Sequence, residues 1–177
     1  MIIEKTNIKD LLIVKQKNNK DNRGQLRETF NNKVLKKKFI FEYCTTSKKN
    51  ALRGFHFQTK FKQSKYVNVL KGKILDVVID LRKNSNTFGQ IFSIILSSNN
   101  AKGLHIPSGF AHAYYSYEKE NIIYYKLDNY YAPKYENGII YNDEDLDVKW
   151  PTKRALISKK DKKLLTFKNF CKKYKGL

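Results

Sequence analysis

The stretch YVNVLKGKILDVVIDL, residues 66–81, decides the fold. Apolar and polar residues repeatedly alternate along it, which is the period of a strand and not of a helix. It therefore reads as two strand-like runs around Gly72. Working outward, QIFSIILSS (90–98) has the same character, and FIFEY (39–43), ALRGFHFQ (51–58) and NIIYYKLDNYY (121–131) supply further strands. Turn chemistry separates them at KNSNTFG, SSNNAKG and IPSGF. Strands at a spacing of roughly 8 to 12 residues predict an all-β sandwich or barrel of antiparallel strands.

Helical periodicity is confined to the C-terminal end, where Leu164, Phe167, Cys171 and Tyr174 recur at steps of three and four. Ser158 followed by Asp161 has the spacing of a capping box, with Asp where Glu is usual. The expectation is one domain, with a β-core over about residues 20–150 and a short helical segment over about 158–175 docked on it.

In a chain of 177 residues, 41% hydrophobic and 14% aromatic content give enough apolar area to offset chain entropy, which excludes disorder. Lys and Arg number 36 against 16 Asp and Glu, and the resulting +20 charge favours anionic partners: nucleic acid, anionic lipid or a phosphorylated small molecule. The richness in Lys, Asn, Ile and Tyr equally fits an AT-rich genome. Cys44 and Cys171 have neither CxxC spacing nor a paired His cluster, which argues against a disulfide scaffold or structural zinc and fits a reduced, cytoplasmic protein. The early run LLIV has charges on both sides and is too short for a signal-peptide core, and no run approaches a membrane span.

Three histidines, His56, His105 and His112, are the candidates for chemistry. The last two lie in GLHIPSGFAHAYY, where a Pro and two Gly fix a tight loop that can aim a side chain into a barrel mouth. No HxH or HxxxxE spacing accompanies them, so no metal is expected. In ALRGFHFQ, alternation puts His56 and Gln58 on one face, and Arg53 with Phe55 and Phe57 on the other. A bulge at Gly54 would bring Arg53, His56 and Gln58 into one cavity; otherwise His56 reads equally as a hydrogen-bonded interior histidine. In YYKLDNYY, Tyr125 and Tyr131 share parity and can line one cavity, as a proton donor or a stacking plate.

Six segments in order, DNRGQLRETF, LRGFHFQ, QSKYVNVLKGKILDVVIDLRKNSNTFG, LHIPSGFAHAYY, YYKLDNYYAP and GIIYNDEDLDVKWP, span residues 21 to 161. Together they resemble the dTDP-4-dehydrorhamnose 3,5-epimerase family, nucleotide-sugar epimerases of the cupin superfamily. The resemblance implies a cupin-type jelly-roll barrel that acts on a nucleotide-diphospho-4-keto-6-deoxy sugar, without a cofactor and without nucleic acid or membrane as partner. It implies His56 as the base, Tyr125 as the opposing acid, Asp161 as the carboxylate that orients the histidine, and Lys65 as the cation near the keto oxygen. It further implies substrate contacts by Arg23, Glu28, Arg53, His112, Tyr131, Glu136 and Lys160, with Gln58 in the same motif as His56. Arg23 and Glu28 reach the neighbouring subunit's site in such proteins, so a homodimer is implied.

One segment departs from the pattern. Ahead of RGxHFQ the family commonly carries Gln, Asn and Ser where this chain has Phe41, Tyr43 and Thr45. A GDP- or CDP-linked substrate, or inversion at one carbon only, therefore stays open, as does a related cupin that isomerises the 3,4-keto position. From another class, a basic β-domain binding RNA or anionic polysaccharide would place its aromatics on an exposed face.

Overall fold

In the structure, a computed structural model describing residues 1–177, both halves of YVNVLKGKILDVVIDL are strands, but they lie in different sheets. In chain order come β1 (Ile2–Lys5), β2 (Leu12–Lys15), β3 (Lys17–Asp21) and β4 (Gly24–Glu28), then the one-turn helix α1 (Asn32–Leu35). β5 (Phe41–Lys48), β6 (Leu52–Gln58), β7 (Lys65–Lys71), β8 (Lys73–Asp80) and β9 (Ile91–Ser97) follow. β10 (Lys102–Ile106), β11 (Phe110–Ser116), β12 (Glu120–Leu127), β13 (Glu136–Gly138) and the helix α2 (Phe167–Tyr174) complete the chain.

Six strands form one antiparallel sheet in the order β1-β2-β10-β7-β12-β5, and five form the other, β13-β6-β11-β8-β9. From β5 to β8, and again from β9 to β12, each strand lies in the sheet opposite its predecessor. A double sheet wound this way is the cupin-type jelly roll expected from the sequence. Gly72 makes one of the crossings possible: its φ is +87°, and a Cβ there would stand 2.5 Å from the side-chain oxygen of Asn121.

Alternation then sorts the side chains. Val67 and Val69 of β7, Ile74 and Val78 of β8, and Ile123 and Leu127 of β12 pack between the sheets. The opposite parity, Val77 and Ile79 of β8 with Ala111 and Ala113 of β11, faces outward and is covered by Phe170 of α2. Phe170 is completely buried, so its truncation to Ala would cost roughly 3–5 kcal/mol.

Two boundaries differ from the sequence expectation. The β-core starts at residue 2 and not near 20, because β1 and β2 extend the six-stranded sheet; at four residues each they are too short to show a period. The terminal helix starts at Phe167 and not near 158: Thr166 caps it by accepting the amide of Asn169, and Leu164 is extended. Residues 161–163 form only a 3-10 turn. β3 and β4 stand apart as a two-stranded hairpin, held to the body where Arg27 donates to the carbonyls of Val69 (2.8 Å) and Ser98 (3.2 Å). No helix is long and apolar enough to cross a membrane.

Candidate active site

A cavity of about 580 Å³ opens between the two sheets. The six-stranded sheet contributes Tyr43 and Thr45 from β5, Lys65 from β7 and Tyr125 from β12. The five-stranded sheet contributes Arg53 and His56 from β6, and His112 and Tyr114 from β11. Residues 156–158, Lys160 and Asp161, ahead of the terminal helix, supply another side.

Arg53 and His56 share the cavity because β6 bulges. His112 pairs with His56, yet Tyr114 pairs with Arg53, so three steps along β6 match two along β11. The extra residue falls at Gly54, whose φ is +112° and which is followed by a cis peptide bond to Phe55. A Cβ on Gly54 would sit 2.4 Å from the carbonyl oxygen of His112. Phe55 and Phe57 keep their places in the outer core.

Gln58 does not join them. Its amide donates to the carbonyls of Phe61 (2.7 Å) and Tyr130 (3.3 Å) and its oxygen accepts from the amide of Ala132 (2.8 Å), so it stitches two loops together. A buried amide with backbone partners in reach satisfies them in preference to facing a cavity.

Each inward histidine has its own carboxylate. His56 Nε2 lies 2.8 Å from Asp161 Oδ1, and the Gly54 amide donates to Asp161 Oδ2 at 3.2 Å. Burial pushes the Asp161 carboxyl up, but the His56 hydrogen bond and charge, with the Gly54 amide, outweigh it and hold the group below its usual range. The capping geometry survives only on the backbone side, where the Asp161 amide donates to Ser158 Oγ at 3.0 Å and leaves the carboxylate for the histidine. Directly across the strand pair, His112 Nε2 lies 2.9 Å from Asp76 Oδ2. Asp76 is fully buried and its second oxygen has no partner.

The facing wall carries the phenol and the ammonium. Burial pushes the Tyr125 hydroxyl well above its ordinary 10.0, and Tyr114, Tyr43 and Asp76 add to the effect. Tyr43 stacks on Tyr125 with ring centroids 4.8 Å apart, and burial raises its own hydroxyl to about 12. Burial brings the Lys65 ammonium down to about 8, opposed by the charges of Glu136 and Asp76.

At the rim, Lys160 pairs with Glu136, and the Tyr131 hydroxyl donates to the same carboxylate at 2.7 Å. Tyr131 itself is 50% exposed and lies outside the cavity lining, because β12 ends at Leu127 and the parity shared with Tyr125 ends with it. Arg23 and Glu28 lie on the β3–β4 hairpin, also outside the cavity, where Arg23 pairs with Asp21 and Glu28 accepts from Asn31. Tyr114 and Asp76 escaped the sequence reading. Tyr114 has the parity of His112 in FAHAYY, and Asp76 is a carboxylate on the buried face of an apolar strand.

A family model described as dTDP-4-dehydrorhamnose 3,5-epimerase matches residues 5–169. The dTDP-4-dehydrorhamnose 3,5-epimerase of Methanothermobacter thermautotrophicus is 37% identical over 166 residues, covering 89% of this chain and 90% of that protein. The enzyme of that name from Salmonella typhimurium is 40% identical over 158 residues, covering 85% and 86%. The crystal structure of a Legionella pneumophila 3,5-epimerase in complex with dTDP-4-keto-L-rhamnose has a TM-score of 0.89 at 35% identity, covering 93% of this chain and 92% of that one. With likeness in sequence and fold running over nearly its whole length, the chain belongs to the dTDP-4-dehydrorhamnose 3,5-epimerase family of isomerases.

Proposed function

We propose that this epimerase inverts C3, C5 or both of a nucleotide-linked 4-keto-6-deoxy sugar by removing a proton on one face and returning one on the other. The 4-keto group acidifies the neighbouring C–H bonds, so no cofactor takes part. His56 takes the proton at Nδ1 while Asp161 accepts from Nε2–H and stabilises the imidazolium that forms. The Lys65 ammonium stands by the keto oxygen and stabilises the enolate. Tyr125 gives its hydroxyl proton to the opposite face of the carbon, so the phenolate charge balances the charge on His56.

The observation that carries this reading is that His56 and Tyr125 enter one cavity from opposite sheets. Arg53 is the contact for the diphosphate, where a guanidinium fits two oxygens at once, and His112 contacts the sugar. Tyr131, Glu136 and Lys160 at the rim meet the nucleotide, and Arg23 and Glu28 on the hairpin reach the neighbouring subunit's site in a homodimer. Gln58 acts only by holding the loops at residues 61 and 130–132. The Legionella relative holds dTDP-4-keto-L-rhamnose, which makes a dTDP-linked sugar the first substrate to offer.

Proton NMR in deuterated water, with dTDP-, GDP- and CDP-linked 4-keto sugars offered side by side, tests the reading. Deuterium wash-in at C3 or C5 with inverted product from at least one is the expected result. Neither wash-in nor inversion from any of the three overturns it.

A further inference from the structure

Arg53 is exposed at the wall of the cavity, yet part of its guanidinium is already taken. Nε donates to Ser47 Oγ at 3.1 Å and Nη2 donates to the Thr46 carbonyl at 3.3 Å, both on β5 of the other sheet. None of the ion pairs of the chain includes Arg53, so its charge has no anionic partner within the protein. A guanidinium carries five N–H donors. Those left over, on Nη1 and on the unused side of Nη2, are enough to meet two oxygens of one anion.

Ser47 is a fixed point for that side chain to rest on. It is 2% exposed, it pairs with Asn121 in the β5–β12 register, and the Asn121 amide donates to its carbonyl at 3.1 Å. Its hydroxyl lies 2.9 Å from the Tyr114 hydroxyl, and Tyr114 is the register partner of Arg53 on β11. Arg53 Nε can only donate, so Ser47 Oγ is the acceptor of that bond. A long, exposed side chain from one sheet is thereby tied to a buried oxygen of the other. An untethered arginine gives up rotamer freedom when it binds an anion, whereas a docked one gave it up on folding, which leaves more of the contact energy for the ligand.

We infer that Ser47 is a positioning residue for the anion-binding arginine: its hydroxyl docks the Arg53 guanidinium on β5 and leaves Nη1 for the diphosphate of the substrate. The inference rests on the epimerase reading, in which Arg53 contacts the diphosphate while His56, Lys65 and Tyr125 act on the sugar. Ser47 accordingly governs how tightly the nucleotide end is held and not how fast a proton moves at the sugar.

Ser47→Ala, Ser47→Thr and Arg53→Met separate this role from mere packing. Titration calorimetry with dTDP, GDP and CDP measures Kd, and deuterium wash-in at saturating 4-keto sugar measures proton removal with substrate in place. Ser47→Ala removes the acceptor, while the Tyr114 hydroxyl keeps Thr45 Oγ1 at 3.0 Å. Kd for the diphosphate that the wild type binds most tightly, and KM with it, are expected to rise roughly tenfold, the scale of one hydrogen bond to a charged group, while saturated wash-in stays within a few-fold of wild type. Ser47→Thr, which keeps the hydroxyl, is expected to keep Kd. Arg53→Met leaves nothing for Ser47 to hold, so adding Ser47→Ala to it is expected to raise Kd no further. An unchanged Kd in Ser47→Ala, a loss of saturated wash-in as large as the rise in Kd, a Ser47→Thr variant as impaired as Ser47→Ala, or a double variant showing the product of the two single effects each overturns the inference. If Ser47→Ala fails to fold, Ser47→Cys, close in volume and a weak acceptor, takes its place against Ser47→Thr. A wild-type protein that exchanges a 4-keto sugar but binds none of the three diphosphates overturns the inference alone. One that exchanges no 4-keto sugar sinks the epimerase reading itself, a failure distinct from these.

Discussion

The Asp161 carboxylate meets the His56 ring at 2.8 Å although the two residues are 105 positions apart in the chain. The contact ties the segment ahead of the terminal helix to the bulged strand β6, and it settles which ring nitrogen carries a proton. An anionic carboxylate accepts from Nε2–H, so in the neutral ring the lone pair is on Nδ1.

Asp161→Asn therefore removes both the charge and the tautomer preference while leaving the volume almost unchanged. On the proposed mechanism, wash-in and inversion are expected to fall together by roughly ten-thousandfold, the drop seen when an orienting carboxylate is neutralised beside a catalytic histidine. Single-turnover NMR in deuterated water measures both. Wash-in within a few-fold of wild type would remove Asp161 from the mechanism.

Lys65 makes a prediction with two signs. Burial lowers its ammonium from 10.5 to about 8, so the folded protein loses this proton before the unfolded chain does. Between about pH 8 and 10.5 the unfolded state binds more protons, and this group's contribution to stability rises with pH as the cost of burying its charge is relieved. If, as proposed, this charge stabilises the enolate, it is lost over the same interval, so kcat/KM is expected to fall above about pH 8. Thermal melts and pH–rate profiles taken together check this. Lys65→Met should lower the rate and abolish the limb near pH 8; a limb that persists in that variant belongs to another group.

Gly54 lets Arg53 and His56 face the same space, and its replacement is expected to cost stability as well as activity. With φ at +112° and a Cβ 2.4 Å from the His112 carbonyl oxygen, Gly54→Ala must distort the β6–β11 pairing. Strain of this kind costs ~2 kcal/mol or more, which is roughly 4–8 °C in the melting temperature of a chain this size. Calorimetry on the variant measures it. A melting temperature equal to wild type would show that the bulge tolerates a side chain.

How far the sequence foretells this site depends on how local each signal is. The strands around Gly72, the His56 strand and the inward parity of Tyr125 follow from alternation within eight residues or fewer. A bulge at Gly54 could be posed from glycine's freedom, but only the pairing of β6 with β11 decides it. Tyr131 stands at the rim and not in the cavity lining, because the parity it shares with Tyr125 ends at Leu127 with the strand. Ser158 and Asp161 have the spacing of a helix cap, but the partner that claims the carboxylate is His56, and the helix starts later. Tyr114 and Asp76 depend on contacts between strands distant in sequence, which no local period records.

Tyr43 carries the last prediction, on the nucleotide. It stacks on Tyr125, Phe41 packs beside it at 5.7 Å, and Tyr130 lies 6.0 Å beyond Phe41, so aromatic rings occupy a stretch where the family commonly carries amides. A ring offers its face to any base, whereas an amide selects by hydrogen bonding. Tyr43→Asn is accordingly expected to weaken binding of every nucleotide-linked substrate, with KM rising roughly tenfold for the loss of a stacking plate, and to widen the KM differences among dTDP-, GDP- and CDP-linked forms. The ratio of inverted product to wash-in should hold, because Tyr125 is held in register by the β12 pairings to β5 and β7 and not by the ring above it. A drop in that ratio with KM unchanged would mean instead that the stacked ring holds the proton donor in place and does not contact the base.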